Sequence, residues 1–333
     1  MSLIKEVLIN KRTDLNPVWI MRQAGRYLPE FRDIRKRNPD FIKLCLNSKL
    51  SSEITLQPLK RFELDAAIIF SDILILPYGL NQKVEFIKNI GPILGELDLK
   101  IISKINEIDF VKKIYPVYKA IEMVSGNELL KNKITIGFVG APWTLLVYML
   151  NKRSPKLKLN DNFFEDNFLI NRILTILEKF LKIHIKNQIE KGAQVIQIFD
   201  SWAGLLKETD LPNFAYNPTY NLVNYVKSLK IPVICFPRGI KDYKDYCEIV
   251  KPDAICIDYQ VDPVQISKEI KIPVQGGMDP KVLLTDKENI KKEAKRYLDI
   301  FKDHPYIFNL GHGVLPETNP MMIDYLVKLV NDY

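Results

Sequence analysis

Thiol and imidazole groups are scarce in this 333-residue chain, which has four cysteines and three histidines. Cys45, Cys235, Cys247 and Cys256 form no C-x-x-C pair, and no histidine stands at zinc-ligand spacing beside any of them. Neither a disulfide framework nor a metal site is expected, and the cysteines read as reduced, small hydrophobic residues of a cytoplasmic protein. Long apolar runs are also missing. The first twenty residues carry Lys5, Glu6, Lys11, Arg12 and Asp14 without a continuous apolar stretch, which argues against a secretory leader. The longest nearly unbroken apolar run, Ala141 to Leu150, falls well short of the roughly 20 residues that span a bilayer. There is no repeat at fixed period, no G-x-G-x-x-G after a strand-like run, and no G-x-S-x-G nucleophile elbow.

What remains is ordinary globular material. Hydrophobic residues make up 47% and charged residues 26% of the chain, enough for a core that needs no metal or disulfide staple. The formal charge is +8 at pH 7. Such a balance suits nucleic acid, an anionic surface or an acidic small molecule, and the two basic residue types separate these. Lysine is scattered almost everywhere. Six of the eleven arginines instead fall between Arg12 and Arg37. The planar guanidinium fork grips carboxylate or phosphate at two points, so this cluster indicates an anion site.

Short apolar, β-branched runs recur along the chain: Pro17 to Met21, Ala66 to Phe70, Ile134 to Val139, Val195 to Phe199, Pro232 to Phe236, Ala254 to Ile257, Ile272 to Val274 and Tyr306 to Leu310. Between them lie helical-period stretches, among them Ser51 to Phe62, Asp109 to Val124, Asp161 to Lys191, Leu211 to Leu229, Ile240 to Val250 and Asp286 to Phe301. Continuous apolar strands alternating with helices predict a parallel sheet buried on both faces. Asp262-Pro263 and Asp279-Pro280 predict N-caps followed by proline in the first turn, and Thr285 with Glu288 predicts a capping box. Eight such units predict an α/β fold, a single-domain (β/α)8 TIM barrel over residues 1–333. The interval Pro77 to Gly95 is expected to be a loop or hairpin.

In such a barrel the chemistry sits at the carboxyl ends of the strands. Those positions hold Arg22 and Arg26, Asp72, Trp143 with Tyr148, Asp200 and Ser201, Arg238, Asp258, Gly276-Gly277 with Asp279, and His312 between two glycines. Arg22 and Arg26, separated by Gln23, Ala24 and Gly25, can converge on one anion. Asp72 reads either as a catalytic carboxylate or as a cap or ion-pair partner of Arg22. Tyr148 fits both a packed position and a ligand contact. Ser201 suits hydrogen bonding better than covalent catalysis. His184 falls on an apolar helical stripe and reads as packed, and His304 has no nameable partner.

Several of these segments carry a family resemblance. Arg22-Gln23-Ala24-Gly25-Arg26-Tyr27-Leu28-Pro29-Glu30-Phe31, Phe70-Ser71-Asp72-Ile73-Leu74, Gly140-Ala141-Pro142-Trp143-Thr144, Gly276-Gly277-Met278-Asp279-Pro280 and Asn309-Leu310-Gly311-His312-Gly313 resemble the uroporphyrinogen decarboxylases, in family order across nearly the whole chain. The resemblance implies a homodimeric barrel that removes the four acetate carboxyl groups of uroporphyrinogen III, giving coproporphyrinogen III, with no metal or organic cofactor. It implies Asp72 as the catalytic, pyrrole-facing acid. Arg22, Gln23, Ala24, Gly25 and Arg26 become the substrate-binding loop, and Tyr148, Ser201 and His312 further substrate contacts. Asp200 and Trp202 stand where many members have a Glu or a His.

Three rival readings fit less well. A zinc- or corrinoid-dependent methyltransferase of related fold needs a His/Cys ligand set that this chain does not space correctly. A phosphosugar enzyme using the glycines after strands seven and eight would meet Asp279 at its phosphate cup. A nucleic-acid binder would show a basic stripe interleaved with aromatics, whereas these arginines gather beside one strand end. No nucleic-acid or membrane partner is therefore expected.

Overall fold

Side chains that alternate along a strand but are apolar at every position need a buried surface on both faces. The computed structural model, which describes residues 1–155, 159, 163–164 and 166–333, meets that need by curling the sheet. The strands are β1 (Ala66–Ile68), β2 (Val84–Ile87), β3 (Gly91–Leu94), β4 (Ile134–Gly140), β5 (Val195–Asp200), β6 (Val233–Pro237), β7 (Ala254–Ile257), β8 (Val274–Gly276) and β9 (Tyr306–Ile307). β2 and β3 form a separate antiparallel hairpin in the interval 77–95. The other seven pair in parallel in the order β1-β4-β5-β6-β7-β8-β9.

The predicted first strand, Pro17 to Met21, is not a full strand. Pro17 has no N–H to give a ladder, and the chain turns as soon as Gln23 N–H reaches the Ile20 carbonyl at 2.8 Å. What survives closes the barrel: Val18 makes a parallel bridge with Phe308, and its carbonyl accepts from Asp65 N–H at 2.9 Å on the other side. The segment thus occupies the eighth strand position between β9 and β1.

The period of two shows in which core each residue joins. Ala66, Ile134, Ile136, Val195, Ile234, Phe236, Ala254, Cys256 and Ile307 form the inner cluster with Trp19 and Met21. Their neighbours Ala67, Ile196, Ile198, Val233, Cys235, Ile255 and Ile257 face the helices. The helix Leu3–Asn10 plugs one end of the barrel, its Ile4, Val7 and Leu8 joining the inner cluster. Three polar side chains inside the barrel are linked in a row: Trp19 Nε1 donates to Gln275 Oε1 at 2.9 Å, and Gln275 Nε2 donates to Gln197 Oε1 at 3.3 Å.

Helix boundaries follow the capping chemistry. Asp262 accepts from Val264 N–H at 3.0 Å, as the Asp-Pro pattern requires. Asp279 likewise accepts from Lys281 N–H, although the segment it opens, Pro280–Leu284, is a 3-10 helix. The expected Thr285–Glu288 capping box does not form. Asp286 is the cap of the helix Lys287–Ile300, accepting from Asn289 N–H at 2.9 Å, while the Thr285 hydroxyl turns back to the Val282 carbonyl. The carboxylate is the stronger acceptor and stands one residue nearer the first free N–H groups. The predicted helix 161–191 is seen as Asn167–Glu190; positions 161, 162 and 165 lie outside the described residues. Among the described residues, no helix is long and apolar enough to cross a membrane.

Candidate active site

The carboxyl ends of the parallel strands surround one mouth. Asp72 enters it just past β1 on a backbone clamped from behind by the helix Ser48–Arg61. Thr55 Oγ1 accepts from Phe70 N–H at 2.8 Å, and Ser51 Oγ donates to the Phe70 carbonyl at 2.7 Å. Asp72 Oδ1 then accepts from Leu74 N–H at 2.9 Å, which fixes the carboxylate and leaves Oδ2 for a ligand. Burial pushes the pKa of Asp72 up to about 6, against the opposing pull of the Leu74 N–H and of Arg22.

Arg22 leaves the closing segment with φ +62°, the left-handed region that a side chain other than glycine rarely adopts. Its guanidinium is reached by the water of the cleft but lies deep among protein atoms. That depth lowers its pKa, the charges of Asp72 and Tyr148 pull the other way, and those of Arg26 and Arg238 lower it further. Asp72 and Arg22 act on each other through space without a hydrogen bond between them, so neither is spent on its neighbour. The far wall of this loop is tied to the last strand by Asn309, whose Oδ1 accepts from both Met21 N–H and Leu310 N–H at 2.8 Å. His312 follows. Burial, Arg22 and Arg238 push its pKa down to about 4, which leaves it a neutral imidazole near pH 7.

The remaining wall comes from β5 and the helix Pro142–Asn151. Thr144 Oγ1 donates to Asp200 Oδ1 at 2.6 Å and accepts from Trp202 N–H at 3.2 Å, and Trp143 Nε1 donates to the Trp202 carbonyl at 2.9 Å. These bonds hold the turn after β5, in which Ser201 is half-buried and the Trp202 ring meets that of Tyr148 edge-on at 5.9 Å. Ser154 Oγ lies 3.3 Å from the Tyr148 hydroxyl. Asp200 itself is fully buried with Oδ2 unpartnered, and burial pushes its pKa up to about 7. Folding therefore takes up a proton at Asp200 between pH 3.8 and about 7, and stability falls as pH rises through that window. Asp200→Asn keeps the shape without the charge. The difference in thermal midpoint between variant and parent should grow in the variant's favour from pH 5 to pH 8; a constant difference would refute the assignment.

Most of the sequence-derived residues thus come together at the mouth, whereas Trp143, Asp200 and Asp258 are buried in its wall. Arg22, Asp72, Tyr148, Ser201 and His312 face or flank the mouth, Ala24 and Gly25 are half-buried on the loop, and Arg26 is exposed at its edge. Gln23 does not join them: it is 0% exposed, Nε2 donating to the Ala66 carbonyl and Oε1 accepting from Ile20 N–H. It shapes the loop from inside the barrel wall. Asp279 caps its 3-10 helix and is similarly occupied. The other two histidines belong elsewhere. His184 is buried against the Tyr118 hydroxyl at 3.0 Å, as a packed residue. His304 does have partners, the Ile270 and Pro305 carbonyls at 3.0 and 3.1 Å. Sequence reasoning missed the Ser51 and Thr55 clamp entirely. It placed Arg238 and Asp258 at the mouth without seeing that they pair at 3.2 Å, although neighbouring strand ends carrying opposite charges were a readable signal.

Comparison with known proteins agrees with this geometry. The family model described as "Uroporphyrinogen decarboxylase (URO-D)" matches residues 1–333. A uroporphyrinogen decarboxylase of Rickettsia bellii is 40% identical, covering 100% of this chain and 99% of its own. One of Rickettsia felis is 40% identical over 98% of this chain and 95% of its own. Among solved structures, a methyltransferase from Methanosarcina mazei superposes with a TM-score of 0.80, covering 99% of this chain and 97% of its own. At 17% identity that likeness concerns the fold alone. A match over every residue, with a carboxylate and convergent arginines at the mouth of a parallel barrel, places this chain in the uroporphyrinogen decarboxylase family.

Proposed function

We propose that the cleft seats uroporphyrinogen III with its pyrrole N–H groups on Asp72 and its peripheral carboxylates on Arg22 and Arg26, with Tyr148, Ser201 and His312 completing the contacts. The chain is a carboxy-lyase that converts uroporphyrinogen III to coproporphyrinogen III, releasing four CO2, in tetrapyrrole biosynthesis. The observation that carries the site assignment is an acid and an arginine held close without being paired to each other. A polyanionic ligand with N–H donors at its centre completes both.

The chemistry explains why this pair suffices without metal or organic cofactor. Simple loss of CO2 from an acetate side chain would leave its electron pair on carbon. If a proton first adds to the adjacent pyrrole carbon, the ring becomes an iminium-like cation that accepts the pair as the C–C bond breaks. A proton then enters at the former methylene carbon to give the methyl group, and the ring proton leaves. Asp72, ionised, faces the pyrrole N–H and stabilises the positive charge as it develops, which is preorganised electrostatic catalysis. Arg22 and Arg26 orient the carboxylates through forked hydrogen bonds. His312, neutral at pH 7, offers one N–H donor without adding charge.

The zinc-dependent methyltransferase reading has less support. It needs thiolates, and burial pushes the Cys247 and Cys256 thiols up to about 12 and raises Cys235 as well. Among the described residues, no three His, Cys, Asp or Glu side chains converge to hold a metal ion. The protein is further proposed to act as a single domain over residues 1–333, as a cytoplasmic homodimer without nucleic-acid or membrane partners. Anaerobic incubation with uroporphyrinogen III in the presence of a chelator tests the activity. Seven- to four-carboxylate products should appear after oxidation; full retention of the eight-carboxylate starting material would overturn the reading.

A further inference from the structure

We infer that Arg238, anchored by Asp258, is a third carboxylate-binding arginine, set across the barrel mouth from Arg22. The inference deepens the proposed function and rests on it. Counting the closing segment at residues 17–21 as one strand position, the order around the barrel runs through β1, β4 and β5 to β6, at whose end Arg238 stands. That is four positions round a ring of eight, or diametrically opposite. A macrocycle with carboxylates on its whole rim, held only by one loop, would be free to swing about that attachment. A cation on the opposite wall fixes it in its plane.

The side chain is built for this purpose. Its Nε lies 3.2 Å from Asp258 Oδ2, and Asp258 is only 1% exposed. Asp258 is steadied in turn, its Oδ1 accepting from Gln260 N–H at 2.9 Å. Anchoring through Nε leaves both terminal nitrogens of the fork without a protein acceptor among the described residues, and these are the pair that grips a carboxylate at two points. The backbone is pinned as well. Arg238 N–H donates to the Asp200 carbonyl, and the Arg238 carbonyl accepts from Gly204 N–H, each at 3.0 Å. Although its partner Asp258 is buried, Arg238 keeps 31% of its side chain exposed. Its charge acts on both Arg22 and His312, so its free end lies on the cleft side.

Steady-state kinetics with uroporphyrinogen III, and titration of the protein's tryptophan fluorescence with coproporphyrinogen III, test the assignment. Arg238→Ala should raise KM about tenfold or more while kcat stays within about threefold, and Arg238→Lys should recover part of the loss. Coproporphyrinogen binding should weaken in parallel if the gripped group is one that survives the reaction. The double variant Arg238→Ala/Asp258→Asn removes the stranded carboxylate and should keep the raised KM. A KM for Arg238→Ala within twofold of the parent, or a double variant restored to the parent KM, would overturn the inference. In either case turnover by the parent leaves the family activity standing; a parent that fails to turn over would refute the proposed function itself.

Discussion

Asp72→Asn is expected to lower kcat by about a hundredfold to a thousandfold, the range seen when one preorganised stabiliser of developing charge is lost. KM should change little. The amide keeps the size of the carboxylate, and its oxygen still accepts from Leu74 N–H in the place of Oδ1. What disappears is the negative charge opposite the protonated pyrrole, which is felt only in the transition state. Interactions made only there lower kcat and kcat/KM together. The parent should also show an acid limb in kcat/KM near pH 6. Burial holds the Asp72 pKa at about 6 in the free protein, so the ionised form declines as pH falls through that value. The variant should lack this limb. Near-parental CO2 release by Asp72→Asn, or an unchanged acid limb in it, would remove Asp72 from the reaction.

The placement of Asp72 was legible in sequence because its signal is local. A strand-like run ends at Phe70, and the next polar residue with an acid is in the mouth by necessity of the barrel. The same holds for β4 through β7, where continuous β-branched runs report burial on both faces and the strand ends follow within a residue or two. What holds Asp72 was not legible. Ser51 and Thr55 lie on the preceding helix, 19 and 15 residues away from the Phe70 backbone they clamp, and nothing in a helical serine or threonine marks the strand it will meet. Asn309 is more remote still, reaching Met21 across 288 residues to close the barrel. Gln23 shows the opposite failure. It sits inside the most specific motif in the chain, yet its side chain turns inward and bonds to the barrel wall. A motif marks residues the site needs, and some of these build the wall that others stand on.

Arg22 is where the site and the stability of the fold conflict. Its backbone occupies the left-handed region at φ +62°, which costs a residue with a Cβ about 1–2 kcal/mol. Its charge stands deep in the cleft with Arg26 and Arg238 acting against it. Arg22→Gly removes both costs, so its thermal midpoint should equal or exceed the parent's. Its kcat/KM should nevertheless fall about a hundredfold, since truncating one partner of a desolvated, hydrogen-bonded charge pair costs about 2–5 kcal/mol. Gly313→Ala should reach a similar end from the opposite wall. A Cβ at position 313 would lie 2.2 Å from Arg22 Cδ, 2.6 Å from Cγ and 2.8 Å from Nε, so the guanidinium must leave its position beside Asp72. The backbone at Gly313 is outside the left-handed region, so alanine is tolerated there by the chain itself. The two variants should therefore share low activity while remaining folded by circular dichroism. Combined, they should lose little more than either alone, because both remove the same contact. Multiplicative losses in the double variant, or full activity in Gly313→Ala, would show that substrate does not depend on the position of Arg22.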